Sequence, residues 1–179
     1  TWSHNVVTFA DEAGSFGNAS FRVLEKGPLR GRIRVRSTWG SSMLAIDWML
    51  SAGSRNPVAE VRLDWKEQLK MLKFSLPIDI ESPVSTYESA YGCIERECNG
   101  HEEPGQRWLD VTGKSGGMTY GLTVINDAKY GYSVPGSDLR ISVARSAVYA
   151  HHDPRTLDME AEHRWQYQGI KTFRMMLVP

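Results

Sequence analysis

Regular alternation of polar and apolar residues is the feature of this sequence that most constrains its fold. The segment LRGRIRVRSTW, residues 29–39, alternates arginines with Ile33 and Val35 and ends at Trp39. Successive side chains of a β-strand point to opposite faces, so this pattern predicts a strand with one hydrated and one buried face. An α-helix, with about 3.6 residues per turn, would scatter the arginines over all of its sides.

Two further segments repeat this alternation. In SMLAIDWMLS, residues 42–51, every second side chain from Leu44 to Leu50 is apolar. In VAEVRLDWK, residues 58–66, the side chains predicted to point inward are Ala59, Val61, Leu63 and Trp65. Three successive strands that each have one polar face predict an antiparallel sheet.

The rest of the chain also favours strands over helices. Around WKEQLKMLKF, residues 65–74, helical spacing fits as well, but the alternation from Leu72 to Ile80 persists for longer and favours a strand. Turn-forming residues separate most of the remaining segments. The predicted strands are 69–80, 85–97, 107–112, 118–126, 138–146 and 163–168. Because no long helical pattern is left, the predicted fold class is all-β.

Size and charge limit the classes of partner. The chain has 179 residues, 41% of them hydrophobic, which suits one domain with its own core. Lys and Arg (21) balance Asp and Glu (21), so the positive field typical of nucleic-acid or membrane binders is missing. No apolar run approaches the roughly 20 residues that span a bilayer, and no leader pattern opens the chain. We expect a soluble, unexported protein.

Two cysteines bear on the cellular compartment. Cys93 and Cys98 lie in YGCIEREC, and in an extended chain at about 3.3 Å per residue their Cα atoms would be roughly 16 Å apart. A disulfide requires less than about 7 Å. Free thiols are therefore expected, and with them a cytoplasmic location. A zinc ribbon would need a second close pair of cysteines.

Other polar clusters have a solvated surface as their simplest interpretation. The alternating arginines of residues 30–36 suit an acidic partner, but cross-strand acids at Glu60 and Asp64 would balance them. A possible metal-binding cluster lacks the spacing that fixes tetrahedral ligands. It comprises His151, His152, Asp153, Asp158, Glu160, Glu162 and His163. No evident acid/base pair, nucleophile elbow, P-loop or dinucleotide-binding glycine pattern appears.

The segment LTVINDAKYGY, residues 122–132, crowds polar and aromatic groups behind an apolar strand. Asn126 and Asp127 are good turn formers because their side chains bond to nearby backbone, and Gly131 can adopt a positive φ. A purely structural turn therefore explains the polar residues without any binding function.

A binding function is the alternative for the same segment. The rings of Tyr130 and Tyr132 suit stacking on sugar C–H groups, and Asp127 and Lys129 can hydrogen-bond to hydroxyls. Sugar recognition is the function that fits these chemistries best, and the residues alone leave both explanations open.

Six motifs spread over nearly the whole chain resemble one known family. In order they are TWSH, FRVLEKGPLRGRIRV, VRLDWKEQLKMLKFSLPIDI, STYESAYGCIER, INDAKYGY and LRISVARSAVYAHHDP. Together they look like the C-terminal β-domain of the glycoside hydrolase family 38 α-mannosidases. The resemblance implies that residues 1–179 form a single antiparallel β-sandwich of the supersandwich, galactose-mutarotase-like type.

The resemblance also implies a function. In this family an upstream catalytic barrel holds a zinc ion and an aspartate nucleophile, and hydrolysis of terminal α-mannosides retains configuration. None of that barrel lies in these 179 residues, so a non-catalytic part of a larger enzyme is expected, without a cofactor of its own. Its expected partners are its own catalytic domain and a mannoside at the cleft edge. The surface formed by the alternating arginines of residues 30–36, here called the arginine face, is a candidate for contact with the catalytic domain. Self-association through a bare apolar surface stays open.

The resemblance gives residues 122–132 a specific role. In relatives the basic residue of this turn approaches the mouth of the active site and helps to hold substrate. Lys129 is therefore the first expected substrate-binding residue, followed by Asp127 and Tyr130, and Lys129 is expected to be exposed. Tyr132 is expected to be structural, and Asn126 and Gly131 are expected to shape the turn.

Two departures from the family pattern limit what carries over. Where relatives often show Asp-x-Gly-x-His, His163 matches, but Met159 and Ala161 replace the first two positions. After Gln168 the sequence strays from the usual ending, and nothing is predicted there.

Two other classes of function remain. A stand-alone carbohydrate-binding module is suggested by the 10% aromatic content and by the pair Tyr130 and Tyr132, and a mutarotase-like epimerase by fold analogy alone.

Overall fold

Antiparallel strands account for all of the regular structure in the part of the chain that is described. A computed structural model describes residues 7–152 and 154–179. Its strands are β1 (Gly17–Lys26), β2 (Arg30–Trp39), β3 (Ser42–Ser51), β4 (Val58–Trp65), β5 (Met71–Pro77), β6 (Glu81–Ser89), β7 (Gly92–Arg96), β8 (Glu103–Pro104), β9 (Trp108–Ser115), β10 (Met118–Asn126), β11 (Gly131–Ser133), β12 (Asp138–Arg145) and β13 (Gly169–Val178). None of the described residues is helical. The all-β prediction is confirmed.

Two sheets of unequal width form a sandwich. The large sheet has nine strands in the order β1-β2-β3-β4-β13-β10-β9-β6-β7, and the small sheet has four in the order β5-β12-β11-β8. Leu63 and Leu109 of the large sheet and Leu139 and Ile141 of the small sheet are each fully buried in one shared core. Apolar burial on this scale is the main force that holds two such layers together.

Strand β4 shows how alternation produces this core. Its inward side chains are the four that the sequence predicts, Ala59, Val61, Leu63 and Trp65, and none is more than 2% exposed. The side chains between them are polar and lie on the outer face of the large sheet, which carries no second layer of described residues.

The small sheet is too narrow to cover the whole inner face of the large one. One cross-strand row runs from buried Val61 through Ile46 and Val35 to Phe21 on the edge strand β1, where the ring is 73% exposed. In the next row Val23 is 51% exposed. An apolar surface on β1 and β2 is therefore left open.

The predicted strand at 163–168 is wrong. That segment contains a single isolated bridge, between Trp165 and Val148, and the last strand is β13, which lies beyond it. Strand β13 sits between β4 and β10 near the middle of the large sheet, in the segment after Gln168 for which nothing was predicted.

Candidate functional site

The segment after β10 forms a tight turn built around one amide side chain. The Asn126 side-chain oxygen accepts hydrogen bonds from the backbone N–H of Ala128 at 3.1 Å and of Lys129 at 2.6 Å. Its Nδ2 donates to the Arg107 carbonyl at 3.2 Å, which ties the turn to the start of β9. Asn126 thus has the turn-shaping role that the sequence predicts for it.

Tyr132 stabilises this turn through hydrogen bonds of its hydroxyl, from a position inside the sandwich. Its ring is fully buried, and its hydroxyl accepts from Asn126 Nδ2 at 2.7 Å. The carbonyl oxygens of Gln106 at 2.8 Å and Lys129 at 3.0 Å are within reach of its single hydrogen. Burial raises the pKa of Tyr132 to about 12, so the hydroxyl stays neutral. Tyr132 is structural, as expected, and offers no ring face to a sugar.

Gly131 suits its position for a reason other than the one expected. It is not among the glycines with positive φ, and it opens β11 in ordinary extended structure. A Cβ at this position would lie 3.2 Å from the Ser142 Cβ of β12. The glycine therefore permits close approach of two strands rather than a left-handed turn.

Lys129 is buried, and the expectation that it would be exposed is wrong. The residue is 5% exposed, and its Nζ donates to the Val143 carbonyl at 2.8 Å and to the Tyr167 hydroxyl. The same atom lies 4.8 Å from the ring centroids of both Tyr167 and Phe173. The turn directs the side chain between the sheets, where a carbonyl, a hydroxyl and two ring faces replace water around the ammonium.

The three residues predicted to bind substrate face three different surroundings. Lys129 points inward, whereas Asp127 and Tyr130 are exposed. The Asp127 carboxylate accepts from the Arg174 backbone N–H at 2.9 Å and lines a groove on the outer face of the large sheet. Tyr130, 51% exposed, lines a separate recess of about 250 Å³ together with Glu102. The turn thus sits where the two faces of the sandwich meet, and it forms no single pocket.

The groove on the outer face has a volume of about 720 Å³ and crosses β2, β3, β4 and β13. Its most deeply placed charge is Asp47, whose side chain is only 5% exposed. Asp47 accepts from Arg34 at 2.6 and 2.7 Å and from Arg32 at 3.0 Å. The hydrogen bond from Arg34 lowers the pKa of Asp47, against the opposing effect of burial.

The partners of the arginine face were only partly predicted. Glu60 pairs with Arg32 at 3.0 Å and also with Arg174, in agreement with the expectation that it balances this face. Asp64 instead pairs with Lys66 of its own strand end at 3.1 Å. The principal acid of the face is Asp47, which lies directly opposite Arg34 in the sheet register.

No metal-binding group of three or more His, Cys, Asp or Glu side chains occurs within residues 7–152 and 154–179. Asp153 of the histidine-rich segment lies outside the described residues. His163 Nε2 instead lies 2.5 Å from the Asp158 carbonyl oxygen, and its ring packs edge-on against Trp165. Both cysteines are free thiols. Among the described residues there is also no helix long and apolar enough to cross a membrane.

Comparison with known proteins agrees with this architecture. A family model for the C-terminal domain of glycosyl hydrolases family 38 matches residues 7–155. Alpha-mannosidase 2C1 of Mus musculus is 30% identical over 114 residues, which are 59% of this chain and 11% of that protein. Alpha-mannosidase G of Dictyostelium discoideum is 26% identical over 138 residues, 70% of this chain and 12% of that protein.

A third relative extends the match along the chain. The alpha-mannosidase of Saccharomyces cerevisiae is 26% identical over 150 residues, which are 78% of this chain and 13% of that protein. The aligned regions thus span between 11% and 13% of the length of these relatives. Since the family model covers most of an all-β chain, this chain belongs to the C-terminal domain family of the family 38 glycosyl hydrolases.

Proposed function

We propose that this chain is the β-domain of a retaining α-mannosidase and that hydrolysis of terminal α-mannosides takes place in a catalytic domain elsewhere in the polypeptide. The observation that carries this proposal is the alignment of this chain with three α-mannosidases. The aligned region makes up only 11–13% of the length of each of them. The zinc ion of the parent enzyme would belong to that catalytic domain. The described residues form no group suited to hold it, and no step of hydrolysis is assigned to them.

An activity assay tests this proposal directly. The 179-residue chain should show no turnover of nitrophenyl α-mannoside, with or without added zinc, while a longer polypeptide that includes the barrel should be active. Turnover by the purified chain, with contaminating enzymes excluded, would contradict the proposal. The gene sequence upstream of this chain gives an independent check, because it must encode a zinc-binding barrel.

The open apolar face supports the idea that the domain packs against the rest of the enzyme. Phe21 and Val23 lie in rows that continue the buried core, yet they are 73% and 51% exposed in this chain alone. Exposed apolar surface of this kind marks contact sites. We assign this face to the parent polypeptide, with self-association of the isolated chain as the competing outcome.

The turn after β10 is the proposed contribution to the substrate cleft. Asp127 and Tyr130 are its exposed groups, able to accept from sugar hydroxyls and to stack on a sugar ring. Lys129 contributes by fixing the turn between them through its contacts with Val143 and Tyr167. In the full enzyme Tyr130→Ala should raise KM for extended mannosides without loss of stability. An unchanged KM would remove Tyr130 from the cleft.

A stand-alone sugar-binding role is the second candidate, and one observation favours it. Tyr130, Glu102, Glu103 and Arg145 line the recess of about 250 Å³ beside β8, which offers a ring face and polar groups in one place. Titration of the chain with mannose and mannobiose, followed by NMR, tests this role. Shifts confined to the recess would support it, and the absence of shifts would exclude it.

The proposed location is the cytoplasm, where the free thiols of Cys93 and Cys98 would stay reduced. Fractionation of cells that express the tagged full-length enzyme tests this. Recovery in a vesicle or secreted fraction would contradict it.

A further inference from the structure

The groove on the outer face of the large sheet contains two neighbouring rows of side chains. In the first row Arg34, Asp47, Glu60 and Arg174 lie directly opposite one another on β2, β3, β4 and β13. The second row lies alongside and consists of Arg36, Ala45, Arg62 and Thr172 on the same four strands. The first row contains two acids and the second contains none, so the two rows differ in their balance of charge.

The carboxylates of the groove are already engaged. Asp47 binds Arg32 and Arg34, and Glu60 binds Arg32 and Arg174. The remaining two are occupied as well: Asp64 pairs with Lys66, and Asp127 accepts from the Arg174 backbone. The acids therefore offer little to the second row.

Arg36 and Arg62 are the uncompensated charges of this groove. Both are exposed, and within residues 7–152 and 154–179 neither guanidinium makes a hydrogen bond or an ion pair to a carboxylate. Adjacent strands are about 4.8 Å apart, so the Cα atoms of these two residues, with β3 between them, are separated by roughly 10 Å. Both side chains are long enough to meet above β3.

Ala45 makes room for a ligand at this meeting point. It lies opposite both arginines in the register, and its methyl group is the smallest side chain of its row. Thr172 follows on the far side of Arg62, on β13, two strands away from Ala45. Both arginines, Ala45 and Thr172 line the same groove of about 720 Å³.

We propose that this groove binds a phosphate-type dianion, held above Ala45 by the guanidinium groups of Arg36 and Arg62. Two fixed positive charges match a dianion, and each planar guanidinium can donate two parallel hydrogen bonds to a tetrahedral oxyanion. A monocarboxylate would engage one arginine and leave the other uncompensated. Inorganic phosphate and a phosphate monoester share this chemistry, and the groove has space for the organic part of the latter. Asp127 of the proposed substrate turn lines the same groove, but its carboxylate accepts from the Arg174 backbone N–H and takes no part in the proposed phosphate site.

NMR titration of the 179-residue chain with sodium phosphate tests the site, at about pH 8 and constant low ionic strength. The expected result is a saturable shift of the Arg36 and Arg62 side-chain carbon signals and of the Ala45 amide. The expected dissociation constant is of the order of 1 mM, because both arginines are exposed and screened by salt. Linear shifts spread over all arginines would overturn the proposal.

Matched variants locate the site. Arg36→Gln and Arg62→Gln should each raise the dissociation constant at least fivefold, and Ala45→Leu should do so without a change of charge. Arg55→Gln, an exposed arginine in the loop between β3 and β4, should leave it unchanged. Equal effects of all three arginine variants would overturn the proposal. Thermal unfolding of each variant confirms that the fold is intact.

A comparison of ligands identifies the chemistry. Glycerol phosphate that binds at least fivefold tighter than inorganic phosphate would assign the site to phosphate monoesters, and equal affinity would assign it to the free ion. Acetate should bind at least fivefold more weakly than either. Acetate affinity equal to that of phosphate would overturn the two-arginine arrangement.

Discussion

At the scale of single residues, the surroundings of Lys129 could not be predicted from its neighbours in sequence. A lysine in a polar turn is ordinarily solvated, and a buried ammonium needs compensating groups from elsewhere in the fold. Here the compensation comes from Val143 on β12, from Tyr167 just before β13 and from Phe173 on β13, all of them distant in sequence. By contrast, Asn126 bonds to backbone only two and three residues away, and its role was predictable for that reason.

Lys129→Ala should destabilise the domain by about 3 kcal/mol, because it removes a buried side chain and leaves the partners of its ammonium unpaired. Urea unfolding followed by tryptophan fluorescence measures this loss. Lys26→Ala, at the exposed end of β1, is the matched control and should leave the unfolding free energy unchanged. A loss below about 1 kcal/mol for Lys129→Ala would mean that the ammonium is not held inside the sandwich.

Asp47→Asn should destabilise the domain at neutral pH by about 2 kcal/mol, because it weakens the bonds to Arg32 and Arg34. The pKa of Asp47 is lowered in the folded state, so its charge stabilises the fold above the unfolded pKa, near 4. That contribution is lost as pH falls through the folded pKa. The difference between wild type and variant should therefore be constant from about pH 5 to 7 and shrink below about pH 4. A difference that grows in acid would contradict this sign.

At the scale of strands, alternation predicts those whose two faces differ and misses the others. Strands β2, β3 and β4 pair in unbroken register, and the sequence predicts all three nearly to their ends. Strand β1 is not predicted from the sequence, because its pairing register shifts between Val23 and Glu25 and its alternation is interrupted there. Strand β13 ends in the apolar run Met175, Met176, Leu177 and Val178, which does not alternate with polar residues, and its pairing partners are β4 and β10.

Gly113 lies where β9 and β6 approach each other closely, and this contact cannot be predicted from the sequence. A Cβ there would lie 2.5 Å from the Glu81 carbonyl oxygen, beside the register shift that separates Glu81 from Val84. Gly113→Ala should therefore cost about 2 kcal/mol or more, since backbone must move. Gly31→Ala is the control, because no atom lies within 4 Å of a Cβ at that strand position. Thermal unfolding of both variants measures the difference, and equal melting temperatures would contradict the packing at Gly113.

At the scale of the whole molecule, the sequence names the residues of the turn but not the surfaces on which they act. Asp127, Lys129 and Tyr130 are separated by at most three positions, yet they reach the outer groove, the core and a recess beside the small sheet. Their separation follows from the position of the turn between a strand of the large sheet and a strand of the small one. The groove on the outer face of the large sheet could not be predicted either, because its four strands, β2, β3, β4 and β13, come from both ends of the chain.

The open apolar face leads to a prediction about the parent enzyme. In dilute solution of the 179-residue chain, hydroxyl-radical footprinting should oxidise Phe21 strongly, since its ring is 73% exposed, whereas buried Tyr87 should resist. In the full-length enzyme Phe21 should be protected at least fivefold, because the rest of the polypeptide covers β1 and β2 and removes apolar surface from water. Phe21→Ser should leave the stability of the isolated chain unchanged but lower the melting temperature of the full enzyme. Equal oxidation of Phe21 in both proteins would mean that this face stays bare, and protection that grows with the concentration of the isolated chain would show self-association instead.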